Sequence, residues 1–200
     1  DTDNSYRKLV SDLLTNEFSY EISLKDCIER WKGKNANQIA RELVFEGCSF
    51  ADEFAVRANK LSDGYIVADA DIVKNIKPLL KSTNLPKAIC SNGRTPRILN
   101  NLKQTGLESN FQHVLGRDNL GVMKPDPQVY IKGAEKLGLE IENCLVIEDS
   151  ATGLQAGIEA GAMTVGFTGT GVPKEKLEKL HPNFIVSDLE EIIEIIKTYS

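Results

Sequence analysis

Three short segments of this chain carry side chains suited to chemistry on a phosphoryl group. The first is Ser91-Asn92-Gly93, which follows the apolar run 87–90. Ser91 offers a hydroxyl, and the turn after it offers backbone N–H groups at a helix start, a pairing that suits an anion. Gly93 permits close approach of the backbone. The second is Lys124-Pro125-Asp126-Pro127; a lysine is a point charge of the kind that holds phosphate oxygens. The third is Glu148-Asp149-Ser150, after the run 144–147. Two adjacent carboxylates are the hard oxygen ligands that Mg²⁺ prefers. An anion cradle, a lysine and a magnesium-binding acid pair are the parts of a phosphoryl-transfer site, where catalysis is mostly positioning and charge neutralisation. Each segment alone also reads as punctuation: a plain turn, a helix start with an exposed lysine, an N-cap favoured by the helix dipole. Their order and spacing are more specific than any one of them.

These segments must be placed by strands and helices. From about residue 70 short apolar runs at 87–90, 113–115, 144–147, 164–167 and 184–186 alternate with helical stripes near 72–83, 95–104, 127–137, 151–160, 173–180 and 188–198. This alternation predicts an α/β fold, with a parallel sheet covered by helices on both faces. The runs are continuously apolar, as a doubly covered sheet requires. Ligands of such sheets bind beyond the carboxyl ends of the strands, so the three segments should meet on one rim. Prolines 96, 127 and 173 stand near first helical positions, and Ser187-Asp188-Leu189-Glu190 reads as a capping box. Residues 4–67 have another texture. Leu9, Leu13, Leu14 and Phe18 form a helical stripe, Ser23 caps a second helix, Lys32-Gly33-Lys34-Asn35 breaks it, and two further helices follow.

Composition excludes several classes. The chain has 200 residues with 24 basic and 29 acidic side chains, a net charge of −5, so a nucleic-acid surface is not expected. No apolar stretch is long enough to span a bilayer, and no membrane partner is expected. The cysteines at 27, 48, 90 and 144 form no Cys-x-x-Cys pair, which argues against structural zinc. With no N-glycosylation acceptor in the sequence, they point to a reducing, cytoplasmic setting. His113 and His181 stand far apart. Gly161 and Gly166 have P-loop spacing, but Phe167 stands where lysine is required.

The arrangement resembles the haloacid dehalogenase superfamily, in its sugar-phosphate phosphatase and β-phosphoglucomutase-like branch. Ser91 in Ile89-Cys90-Ser91-Asn92-Gly93 matches the second motif, Lys124 in Val122-Met123-Lys124-Pro125-Asp126-Pro127 the third, and Glu148-Asp149-Ser150 with Gly153, Ala156 and Gly157 the fourth. The resemblance implies a doubly wound, Rossmann-like core with an inserted helical cap, the cap at 4–68 and the core at 1–3 and 69–200. It implies Lys124 and Ser91 in catalysis, with Ser91, Asn92, Gly93 and Lys124 around the phosphoryl group. It also implies Mg²⁺ on Asp149 and Glu148. The turn Lys32, Gly33, Lys34, Asn35 looks like the substrate-facing cap loop, though a solvated basic turn fits it equally.

The family's first motif, an Asp-x-Asp at the end of the first core strand, is not among these residues. Asp1-Thr2-Asp3 matches by letters only, since no apolar strand precedes it. The nucleophile is expected on an upstream strand. The expected function is a Mg²⁺-dependent phosphatase, working as a monomer on a small phosphorylated metabolite such as a sugar phosphate. A β-phosphoglucomutase-like mutase shares every visible motif, although the first cap helix lacks the histidine that mutase carries. A non-catalytic binding domain on the same fold is a third reading.

Overall fold

The computed structural model describes residues 2–31, 34–64 and 72–199. The chain divides into two compact units, Asp1–Asp71 and Ile72–Ser200, where the sequence places the boundary after residue 68. Among the described residues no helix is long and apolar enough to cross a membrane.

The first unit is helical: α1 (Thr2–Phe18), α2 (Leu24–Trp31), α3 (Ala36–Phe45) and α4 (Ala51–Gly64). Its core draws Leu9, Val10, Leu13 and Leu14 from α1, Cys27 and Trp31 from α2, Ile39 and Leu43 from α3, and Phe54 and Ala58 from α4. Phe18 is half-buried, stacked on Phe50 at 5.0 Å between ring centroids. Asn35 starts α3 with a capping box, its side chain accepting from Gln38 N while its own N–H reaches the Gln38 side chain. Two of the cap-loop residues are therefore visible, Lys34 and Asn35; Lys32 and Gly33 lie outside the described residues.

The second unit carries α5 (Ile76–Lys81), β1 (Ala88–Cys90), α6 (Thr95–Thr105), β2 (His113–Leu115), α7 (Arg117–Leu120), α8 (Gln128–Leu137), β3 (Leu145–Glu148), α9 (Ala151–Ala160), β4 (Met163–Phe167), α10 (Lys174–Glu178), β5 (Phe184–Val186) and α11 (Leu189–Tyr199). All strand pairs are parallel, as helical crossovers require. Successive β3 residues face opposite ways. Val146 packs with Tyr130 of α8 and Ala156 of α9, whereas Leu145 packs with α5, β4 and α11 side chains such as Leu79, Val165 and Ile192. Both faces are thus covered. The cap of α11 sits one residue later than the sequence suggests: Asp188 accepts from Glu190 N, and Glu191 reaches back to Asp188 N.

The strands do not form one sheet. Among the described residues β1 pairs only with β2, and β3, β4 and β5 make a separate sheet. Between β1 and β3 lies a slot of about 430 Å³. Every residue of both strands lines it, odd and even alike, so it opens on strand edges rather than on a sheet face. Leu79, Leu80, Leu189 and Ile196 line it, as do Tyr130, Gly133 and Ala134 of α8. Ile147, in the middle of β3, is 40% exposed, against the full burial expected for a doubly covered parallel strand. The physical reason for two sheets is this gap, which keeps the facing edges from bonding to each other.

The single tryptophan, Trp31, is fully buried in the helical unit. Phe54→Ala should cost the helical unit about 3–5 kcal/mol. Urea titration followed by Trp31 fluorescence checks this; an unmoved midpoint would show that Phe54 is not part of that core.

Candidate active site

The loop after β1 is held from three sides. Ser91 N donates to Leu115 O at 3.0 Å, continuing the β1–β2 ladder. The Ser91 hydroxyl accepts from Gly93 N at 3.0 Å. Asn92 makes a two-bond clasp on the Lys124 backbone: its Nδ2 donates to Lys124 O at 3.2 Å, and Lys124 N donates to its Oδ1 at 2.7 Å. The Asn92 amide therefore places Lys124, rather than standing free for a ligand. The Lys124–Pro125 peptide is cis.

Gly116 backs the same loop. A Cβ there would lie 2.4 Å from Thr95 N and 2.7 Å from Gly93 O. Thr95 gives both its N–H and its hydroxyl to Asp118 Oδ1, at 2.8 and 2.9 Å. Burial alone would raise the Asp118 pKa, but these Thr95 bonds outweigh it and hold the carboxyl below its ordinary value.

Glu148 is the last residue of β3 rather than the first of the loop. The strand's two-residue alternation therefore puts it on the Val146 side, toward α8 and α9. There its carboxylate is buried, with Lys124 ion-paired to Oε1; the two side chains are 9% and 10% exposed. Tyr130 donates its hydroxyl to the same oxygen at 2.5 Å. Ser150 gives its hydroxyl to Oε2 at 2.8 Å and its N–H at 3.3 Å. Ser150 also caps α9, its hydroxyl accepting from Gly153 N at 3.1 Å. Gly153 leaves room for all this: a Cβ there would lie 2.2 Å from the Glu148 carboxyl carbon. Asp149, one residue on, is exposed. Burial, then the Glu148 charge, drives the Tyr130 pKa far above its ordinary value. Burial likewise pushes the Cys90 thiol up to about 11, with Lys124 opposing and Glu148 adding.

The structure thus brings Asn92, Lys124 and Glu148 into one connected chain of contacts at the strand ends, with Ser91, Gly93 and Asp149 beside them. Lys34 and Asn35 belong to the helical unit, where the Lys34 ammonium bonds Glu42 at 2.6 Å and Asn35 serves as a helix cap. The sequence reading missed Tyr130. Its only signal is a hydroxyl on an otherwise apolar face of α8, six residues after Lys124.

A family model for haloacid dehalogenase-like hydrolases matches residues 18–161. The chain belongs to that family. Among its relatives, a phosphoglycolate phosphatase of Neisseria meningitidis is 34% identical over 119 residues, covering 58% of this chain and 51% of the relative. The chain thus spans about half the length of that protein. A conserved haloacid dehalogenase-like protein of Agrobacterium tumefaciens superposes with a TM-score of 0.72 at 25% identity, covering 98% of this chain and 92% of the other. A protein of Haemophilus somnus described as a predicted phosphoglycolate phosphatase gives a TM-score of 0.80 at 21% identity over 98% and 92% of the two chains. At that identity it shows the fold alone.

For a member of this family, the donor set can be tested against Mg²⁺. Among the described residues no three His, Cys, Asp or Glu side chains gather into a metal cage. Mg²⁺ does not need one, since it is commonly held by one or two carboxylates with water and substrate phosphate. Exposed Asp149 fits that use. Glu148 has its oxygens engaged by Lys124, Tyr130 and Ser150, so it joins such a site only by giving up one of these partners.

Two outcomes follow from this geometry. Gly153→Ala should cost about 1–3 kcal/mol by overpacking and displace the Glu148 carboxylate; an unchanged melting temperature would contradict the contact. For Asp118, a depressed folded pKa means its contribution is present at neutral pH and lost as pH falls through that value. Asp118→Asn should therefore lower the melting temperature at pH 7, and the gap should close in acid below the ordinary aspartate value. A gap constant with pH would show that the Thr95 bonds do not favour the charged form.

Proposed function

We propose that this chain belongs to a Mg²⁺-dependent phosphatase acting on a small phosphorylated metabolite. The substrate class is a sugar phosphate or a short phosphorylated acid such as phosphoglycolate, and the protein works as a monomer in the cytoplasm. The observation that carries the reading is the linked set Asn92, Lys124 and Glu148 at the carboxyl ends of β1 and β3. It gathers one cation and the Ser91–Gly93 turn where a phosphoryl group would be held. The phosphoglycolate phosphatase relative supports the same class.

In this reading Ser91 and the backbone N–H groups of the 92–94 turn hold the phosphoryl oxygens, and Lys124 neutralises their charge. The nucleophile is a carboxylate on a parallel strand, outside residues 1–200, that fills the slot between β1 and β3. The support is that, among the described residues, the facing edges of β1 and β3 pair with no strand and line an apolar gap. As the carboxylate–phosphorus bond forms, the ester oxygen–phosphorus bond breaks and the leaving alkoxide takes a proton from water. Water then cleaves the acyl phosphate to free phosphate and restore the carboxylate. Asp149 would hold Mg²⁺, which supplies further charge neutralisation when bound. The 32–35 turn would sort substrates.

The test is phosphate release from a panel of phosphomonoesters, including 2-phosphoglycolate and glucose 1-phosphate, with Mg²⁺ and with EDTA. Lys124→Ala and Asp149→Ala should each lower the rate by roughly 10²-fold or more. Undiminished activity in Asp149→Ala would sink the assignment.

A further inference from the structure

Tyr130 touches both halves of the buried ion pair. Its hydroxyl donates to Glu148 Oε1, and its ring lies under the Lys124 ammonium, 5.1 Å from Nζ to the centroid. The side chain is 9% exposed, on α8 where that helix packs against β1 and α9. We propose that Tyr130 is a positioning residue that sets how firmly Glu148 holds Lys124, and so how readily Lys124 turns to a phosphoryl group. This rests on the phosphatase reading of the site.

A carboxylate has about four acceptor positions. Those of Glu148 are filled by Lys124 Nζ, the Tyr130 hydroxyl, the Ser150 hydroxyl and the Ser150 N–H. Lys124 is therefore claimed by an internal anion before any substrate arrives. To bind a phosphoryl oxygen it must share itself with that oxygen or leave Glu148. Leaving a carboxylate buried without its cation is costly. The cost falls if neutral donors stay behind, and three do. Two come from Ser150 and serve Oε2; among the described residues only Tyr130 serves Oε1, the oxygen that Lys124 would vacate. A phenol carries its proton at neutral pH, so the hydroxyl is a donor there. Remove the hydroxyl, and Oε1 depends wholly on Lys124. The ion pair then grips harder, and the lysine is less available to the ligand.

Inorganic phosphate is the probe, titrated calorimetrically into the protein in EDTA so that no metal takes part. Tyr130→Phe keeps the ring and should raise the phosphate Kd about tenfold, which is 1.4 kcal/mol. In turnover it should raise KM with kcat little changed. Glu148→Gln removes the competing charge and should act in the opposite direction, tightening phosphate. In a Glu148→Gln background, Tyr130→Phe should then change the phosphate Kd by less than twofold, as a double-mutant cycle reads directly. A tyrosine that merely packs would give the same effect in both backgrounds, and that result overturns the inference. So does an unchanged Kd in Tyr130→Phe, or weaker phosphate binding in Glu148→Gln; the latter stands as a test even if Tyr130→Phe does not fold. Failure of the unsubstituted protein to bind phosphate and to release it from any ester overturns the phosphatase reading, and this inference with it.

Discussion

A lysine and a glutamate buried against each other are the constraint around which the second unit is arranged. A charged pair taken out of water repays its desolvation only when geometry is good and the remaining lone pairs are satisfied. Lys124 and Glu148 meet that demand through residues drawn from several elements. Asn92 fixes the lysine's backbone from the loop after β1. Tyr130 reaches the glutamate from α8, and Ser150 does so from the cap of α9. Gly153 contributes by having no side chain, since any Cβ would overlap the carboxylate. The placement of α8 and α9 on the sheet is tied to the same pair. Gly133 lets α8 lie close to β1, where a Cβ would come 2.5 Å from Cys90 Sγ.

Much of this was legible in the sequence, for identifiable reasons. Continuous apolar runs locate the five strands of the described residues, because a parallel sheet covered on both faces leaves no polar alternation to blur them. The break before Asn35 is visible because a capping residue and a glycine interrupt a helical stripe. What was not legible depends on small offsets or on partners far apart in sequence. Glu148 belongs to the end of β3 rather than to the loop, and that one residue decides that it faces Tyr130 while Asp149 faces solvent. The Tyr130–Glu148 bond joins residues 18 apart on different elements, and no local pattern announces it. Asn92 reads as a ligand-facing turn residue, yet its amide is spent on the Lys124 backbone. The division of the strands into two sheets follows from the spacing of whole elements, which residue types do not encode.

The helical unit applies a similar device to another lysine. Arg7 is 1% exposed and donates to the Lys34 carbonyl at 2.5 Å. Glu42 takes the Lys34 ammonium on one oxygen and the Trp31 indole on the other, and the Lys34 bond above all holds the Glu42 carboxyl below its ordinary pKa. The end of α2 and the start of α3 are thus pinned by charge as well as by apolar packing. Whatever the 32–35 turn meets, its C-terminal half is held on a rigid support.

The gap between β1 and β3 also bears on how the polypeptide behaves in a tube. An open parallel edge is a template for any extended chain that meets it, and among the described residues two such edges face each other across an oily trough. Among the described residues no strand bonds to either facing edge, so an extended segment seated there would meet both. A short apolar peptide able to lie between the two strands would bond to β1 on one side and to β3 on the other.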